Sequence, residues 1–256
     1  MATLSFERFE FKYLLPVPLV GAVRRFIAPY TRPDVHAGGR YTVGNLYLDT
    51  PALDFYQDHL LGSPDRYKLR LRSYDGTGPV FLEVKRKIKS VIVKSRVEVP
   101  QALCRGILLE GDEIPLDALP AGHLEEFRGR AIHRGVRPVM LVEYGREAYE
   151  GTIDREARLT FDTGIRCRPT HEMDLGGKGG WTHIDGAADF GSTSSAVLVE
   201  LKFNTSCPAW MVDLVRVFNL ERQAFSKYMA AMRHHVEDEA ADRLWDRVSI
   251  VRGCDE

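Results

Sequence analysis

Cysteine is scarce in this chain of 256 residues: Cys104, Cys167, Cys207 and Cys254 stand far apart, with no C-x-x-C pair and no histidine at a zinc-finger interval. Such spacing speaks against a disulfide framework and a sulfur-ligated metal, and it fits reduced thiols. His234 and His235 offer no metal site either, because adjacent side chains on a helix diverge by about 100°. Net charge is nearly absent, with 35 Lys and Arg against 36 Asp and Glu. A neutral chain is a poor general coat for nucleic acid, so nucleic acid is not an expected partner. Long apolar runs are missing, and with them any membrane span. The opening MATLSFERFEFKY sets Glu7, Arg8, Glu10 and Lys12 where a signal peptide keeps its apolar core, so the expected compartment is the cytoplasm. The stretch LGGKGGWTHIDG lacks the GK[ST] ending and the strand-to-helix setting of a phosphate-binding loop and reads as a connection. Internal repeats and low-complexity segments are also missing.

What is present is a local concentration of positive charge. In YKLRLRSYDG, residues 67–76, Tyr67, Leu69 and Leu71 alternate with Lys68, Arg70 and Arg72, the period of a strand with one apolar and one polar face. FLEVKRKIKSVIVKSRVEVP follows and continues the theme. From Arg66 to Arg96 the cations are Arg66, Lys68, Arg70, Arg72, Lys85, Arg86, Lys87, Lys89, Lys94 and Arg96, against Asp75 and Glu83 alone. A basic run inside a neutral protein marks a local field suited to a compact anionic ligand.

Similar alternation predicts strands over residues 6–14, in YTVGNLYLDT, over 67–73, 80–88 and 91–99, and in VMLVEYGREAY, ARLTFDTGIRCR and AVLVELKFN. Helical patterns fall at 18–28, around LDFYQDHL, across 101–135 and from about 208 to 246. About eight strands with one charged face admit two architectures. In a sandwich the charged faces are solvated and their signs are mixed across strands. The sign here is lopsided, which favours a closed barrel whose inward charges enclose a ligand and whose apolar outer faces are covered by helices. Clustered like charges inside a barrel repel one another unless a multivalent anion fills it. If the charged faces point inward, the ligand is a polyanion.

These segments, taken in order, resemble the VTC domain, the polyphosphate polymerase branch of the triphosphate tunnel (CYTH-like) superfamily. ERFEFKY is similar to the opening E-x-E-x-K strand, with Glu10 and Lys12 in its last two positions. KLRLRSY resembles the paired-arginine strand, FLEVKRK the Glu-x-Lys strand, and IVKSRVEV the basic strand after it. EYGREAY and ARLTFDTGI are similar to strands that each supply an inward arginine, here Arg146 and Arg158. VLVELKF resembles the strand with the metal-binding glutamate, Glu200, and FSKYM the closing segment whose Ser226 and Lys227 face the tunnel. The first position of E-x-E-x-K is Arg8, a departure that weakens a hydrolase reading and agrees with the basic polymerase branch.

The resemblance implies an α+β fold, an antiparallel eight-stranded β-barrel with helices packed outside, as a single domain over 1–256 with its core at about 5–235 and a helical tail at 236–256. It implies a metal-dependent enzyme that moves the γ-phosphate of ATP onto inorganic polyphosphate. Two alternatives remain open: a metal-dependent triphosphatase, and a noncatalytic domain that binds polyphosphate or inositol phosphates. Phosphoryl transfer asks mainly for positioning and charge neutralisation. Arg70 and Arg72 aim planar forks to one side of a strand, which suits bidentate phosphate binding. Lys85, Lys94 and Arg96 are expected to add charge along the chain, with Lys87 and Lys89 at a mouth or on the surface. Lys12, Arg146 and Arg158 close the ring around the terminal phosphate, and Ser226 and Lys227 orient the acceptor. A hard cation, Mn or Mg, takes oxygen ligands, with Glu200 first, then Glu10, and with Glu83, Glu98 and Asp162 behind them. A membrane-protein partner that receives the product is compatible with this reading, and the oligomeric state is not specified by it.

Overall fold

The computed structural model describes residues 8–89, 91–104, 106, 121–176, 179–191 and 195–236. The expected tail beyond 236 and most of the helical middle, 105 and 107–120, lie outside the described residues. Among the described residues eight long antiparallel strands form one path: β1 (Arg8–Pro16), β3 (Arg40–Asp49), β4 (Asp65–Tyr74), β5 (Thr77–Ile88), β6 (Val91–Val99), β7 (Arg137–Gly151), β8 (Arg158–Pro169) and β10 (Ala196–Asn204). Their order across the sheet is β1-β10-β8-β7-β3-β4-β5-β6. Two short strands join from the side, β2 (Thr31–Pro33) on β7 and β9 (Thr182–His183) on β8.

Period-two alternation sorts each strand. Leu46 and Leu48 of β3, Leu69 and Leu71 of β4 and Leu82 and Val84 of β5 point outward, where Phe55 of α2 (Asp54–Leu60) and Leu124 and Phe127 of α3 (Ala121–His133) cover them. Leu159, Phe161, Val199 and Leu201 are covered by Val23 and Ile27 of α1 (Val20–Ile27) and by Trp210, Met211 and Leu214 of α4 (Ala209–Val217). These four helices pack outside, as expected.

A fifth helix, α5 over 227–236, does something else. Its Tyr228, Ala231 and Met232 pack with Val43, Tyr47, Met140, Val142 and Leu198, which lie on the inward parity of their strands. The helix therefore occupies part of the sheet's concave side. The continuous helical stretch expected from 208 is broken at 218–226. Asn219 takes a left-handed conformation (φ 46°), and its N–H and that of Leu220 donate to the carbonyls of Arg216 and Val215 at 3.2 and 3.0 Å, a capping arrangement that ends α4. The freed segment then runs beside β1, with Tyr13 bridged to Arg222 and the Gln223 N–H donating to the Lys12 carbonyl at 2.8 Å, and so covers the edge of that strand.

No backbone ladder joins β6 to β1 among the described residues. Side chains span that opening instead, with Lys85 Nζ of β5 3.7 Å from Glu10 Oε2 of β1. Cys104 and Cys207 are free thiols, and no helix among the described residues is long and apolar enough to cross a membrane.

Asp49, fully buried, ties the outer and inner helices together. Its carboxylate accepts the N–H groups of Thr50, Phe55 and Tyr56 at 2.7, 2.9 and 2.9 Å and the Tyr228 hydroxyl at 2.6 Å. Asp49→Ala strands four donors, three of them buried, and is expected to cost about 3 kcal/mol or more, read as a lower midpoint in urea unfolding. Asp49→Asn, which keeps an acceptor oxygen, is expected to lose less.

Candidate functional site

A cavity of about 1540 Å³ runs along the inward face of the sheet. Among the described residues, fourteen Lys and Arg side chains line it against four carboxylates, Glu10, Asp34, Asp75 and Glu200. The charged faces of β4, β5 and β6 thus point inward, and the excess is held by carboxylates buried in its wall. Glu83, 1% exposed, is the first of these. Arg70 Nε donates to its Oε2 at 2.7 Å, while its Oε1 lies 3.2 Å from Lys94 and 3.7 Å from both Arg72 and Arg96. Burial by itself raises the Glu83 carboxyl, but Arg70, Arg72 and Lys94 outweigh it and hold it well below the usual carboxylate range. In turn burial, with Arg70 and Arg72 close by, brings Lys94 down to about 8 against the pull of Glu83.

The second centre joins β7, β8, β10 and α5. Arg146 makes a two-pronged pair with Asp162 at 2.7 and 2.7 Å, and Lys227 donates to Asp162 at 2.6 Å and to Glu200 at 3.1 Å. Lys202 and Arg146 reach the other Glu200 oxygen at 2.7 and 3.3 Å. Burial opposes ionisation of Glu200, yet Lys202, Lys227, Arg146 and Lys12 keep it well below the ordinary range. Register explains the pattern on the neighbouring wall: Glu10 pairs with Lys202 and Lys12 with Glu200 across β1 and β10, so each carboxylate faces an ammonium group and the two carboxylates are diagonal neighbours.

A family model described as the VTC domain matches residues 7–236. The chain belongs to the VTC domain family. Among solved structures it is similar to HpAC1 from Hippeastrum, described as a proposed adenylyl cyclase with a dominant triphosphatase activity, at 16% identity over 88% of this chain and 95% of that one, with a TM-score of 0.51. A proposed adenylate cyclase from Bacillus halodurans aligns at 10% identity over 86% and 95% of the two chains, with a TM-score of 0.49. The fold shared with HpAC1 is the triphosphate tunnel fold. No curated protein matches the chain.

In this VTC domain Lys12, Arg70, Arg72, Lys85, Lys94, Arg96, Arg146, Arg158, Ser226 and Lys227, together with Glu10 and Glu200, all line the one cavity. Their positions differ in kind. Arg158 stands toward an edge, paired with Asp34 at 2.9 Å, and Ser226 Oγ accepts a hydrogen bond from Lys68 Nζ at 2.9 Å. Glu83 and Asp162 serve as ion-pair partners, and Glu98 is exposed on β6. Lys68 is a wall residue that the motif reading passed over, although its parity with Arg70 and Arg72 was visible. Burial, then Lys85, Lys12, Arg70 and Arg66, lowers its ammonium well below the ordinary value, and no carboxylate pairs with it among the described residues. Tyr144 carries the same kind of signal, two residues before Arg146; its 3% exposed ring lies beside Arg146 and Lys227. His59 and Arg222 also line the cavity, from a helix and a loop, where no alternation announces an inward side chain.

No group of three His, Cys, Asp or Glu side chains suited to a metal occurs among the described residues. The donor set fits a divalent cation in a narrower sense. Glu10 and Glu200 are two ionised carboxylates facing a strongly cationic cavity, and a hard cation of the Mg type is commonly held by one or two carboxylates with substrate oxygens completing its shell.

Glu83→Ala leaves Arg70, Arg72, Lys94 and Arg96 without their shared counter-ion and is expected to destabilise the ligand-free protein by about 3–5 kcal/mol. Millimolar tripolyphosphate should restore most of the lost thermal midpoint, because the added anion replaces the carboxylate. Lys94 yields a pH prediction. A bound polyanion favours the protonated amine, so affinity for tripolyphosphate should fall as pH rises through about 8. Lys94→Met should flatten that step in a calorimetric pH series.

Proposed function

We propose that this VTC domain is a metal-dependent polyphosphate polymerase that transfers the γ-phosphate of ATP to the end of an inorganic polyphosphate chain, with Lys12, Arg70, Arg72, Lys85, Lys94, Arg96, Arg146, Arg158, Ser226 and Lys227 as its phosphate-binding and catalytic side chains. Family membership and the tunnel fold support a role in handling triphosphate or polyphosphate. The observation that carries the finer reading is the state of the carboxylates: Glu10, Glu83, Asp162 and Glu200 are each ion-paired with two or more cations. None of these four is available as a base for water. A phosphate acceptor needs none, since its terminal group is already mostly dianionic near neutral pH, with a second pKa of about 6.

In the proposed transfer the bond from the γ-phosphorus to the bridging oxygen breaks, ADP leaves with the electron pair, and a terminal oxygen of the chain forms the new bond. Arg70 and Arg72 fork the phosphates in place, and Lys227 and Arg146, fixed by Asp162, hold charge where it develops on the equatorial oxygens. A divalent ion, Mg or Mn, bound with the triphosphate and held by Glu200 and Glu10, would supply further neutralisation of phosphate oxygens. Cations along the cavity also hold the acceptor in line, and well-oriented groups reach effective molarities of about 10⁵ M or more.

One residue favours a second reading, that of a triphosphatase. His59 Nδ1 lies 2.8 Å from the Phe55 carbonyl, which only accepts, so that nitrogen carries the proton and Nε2 is left with its lone pair. Burial and the nearby Lys68 lower the ring to about 4, which keeps it neutral; so weak a base does not deprotonate water near neutral pH, but its Nε2 can accept a hydrogen bond from a water and orient it.

Purified protein with ATP and Mn is expected to accumulate polyphosphate resolvable on a gel, with short polyphosphate primers removing any lag. Equal release of ADP and orthophosphate with no polymer, lost in His59→Asn, would establish the triphosphatase instead. ATP untouched with every divalent metal while tripolyphosphate still binds would mark a binding domain. Glu200→Gln should abolish turnover and keep tripolyphosphate affinity, because the cations around it remain.

A further inference from the structure

The cavity changes chemistry along its length. On the inward parity β4 reads Arg66, Lys68, Arg70, Arg72, Tyr74, and β5 reads Phe81, Glu83, Lys85, Lys87 in the opposite direction. Both strands are therefore aromatic near the turn at Asp75 and Gly76 and purely cationic at the other end. Phe81 and Lys87 lie six residues apart on one strand, about 20 Å at 3.3 Å per residue. The two mouths are not equivalent.

At the aromatic end the rings form one connected wall. Tyr41 and Tyr74 meet edge to face with centroids 5.5 Å apart, and Tyr74 and Phe81 do so at 5.7 Å. The Arg96 guanidinium lies 3.6 Å over the Phe81 ring, and one of its nitrogens is 3.3 Å from the Tyr74 hydroxyl. Its side chain stays 36% exposed and lines the cavity, with the Phe81 ring against the guanidinium and Glu83 3.7 Å from its Nε. Phosphate has no use for a ring wall. A planar heterocycle does, because bases stack on aromatic rings and on guanidinium planes already aligned with them. The other mouth, with Arg66, Lys68, Lys85 and Lys87, presents point charges suited to a phosphate chain.

We propose that Tyr41, Tyr74, Phe81 and Arg96 form the subsite for the nucleobase of the phosphate donor, so that the nucleotide enters at the β4–β5 turn and the phosphate chain occupies the opposite, lysine-rich mouth. This rests on the reading of a nucleoside triphosphate as donor, and it gives Arg96 a stacking role in place of one along the phosphate chain.

The test compares two ligands that share phosphates and differ in the base, β,γ-imido-ATP and tripolyphosphate, by titration calorimetry. Phe81→Leu should weaken imido-ATP about tenfold and tripolyphosphate less than about twofold, the loss of one stacking contact. Arg96→Lys keeps the charge and removes the plane, at an exposed position where folding is not at risk, and should show the same contrast. Equal weakening of both ligands, or no weakening of either, overturns the subsite. None of these readouts needs turnover, so polymer on a gel without the contrast refutes the base subsite alone, and the contrast without polymer refutes the polymerase alone.

Discussion

Mutual repulsion among the inward cations of β4, β5 and β6 is the constraint around which this molecule is built. Like charges at cross-strand distance oppose strand pairing, as at Lys68 and Lys85 or Lys85 and Lys94, which sit directly opposite one another. The sheet tolerates them because Glu83 stands among the cations, deep enough that four basic groups share one carboxylate. Asp162 and Glu200 repeat the device at the other wall with Arg146, Lys202 and Lys227. In each case the carboxylate is buried behind or within the wall while part of the positive charge faces the cavity. The protein is thereby foldable without ligand and remains attractive to a polyanion.

The number of these carboxylates matters as much as their place. Fewer would leave the walls self-repelling; more would cancel the field that recruits phosphate. Their complete engagement also shapes the chemistry, because a carboxylate locked by arginine is a poor base and a good electrostatic anchor. Side chains so fixed are pre-oriented, which is what the proposed phosphoryl transfer would ask of them.

Tyr228 of α5 plugs the concave side and is secured from beneath by Asp49, whose carboxylate also starts α2 on the outside. The break at Asn219 makes this possible: without it α4 would continue outward, and Ser226 and Lys227 would not reach the cavity. Covering the edge of β1 with residues 222 and 223 is the same event seen from the sheet.

Strand alternation was enough to locate all eight long strands and the parity of Lys68, Arg70, Arg72, Lys85, Lys94 and Arg96, because inward and outward side chains of a strand must differ when one face meets helices and the other a charged cavity. The family resemblance named Glu200 and Lys227 on the same grounds of order along the chain. What one dimension does not contain is which cations share a counter-ion. Glu83 meets Lys94 and Arg96 only because β5 and β6 pair in that register, and Lys227 meets Asp162 across 65 residues only because α5 folds inward. His59 and Arg222 have no periodicity to betray them, since a helix end and a loop impose no alternation. The order of residues along the strands sets the sign of the field; the fold sets where that field is neutralised and where it is left open, because neutralisation depends on distances between strands and not on spacing along them.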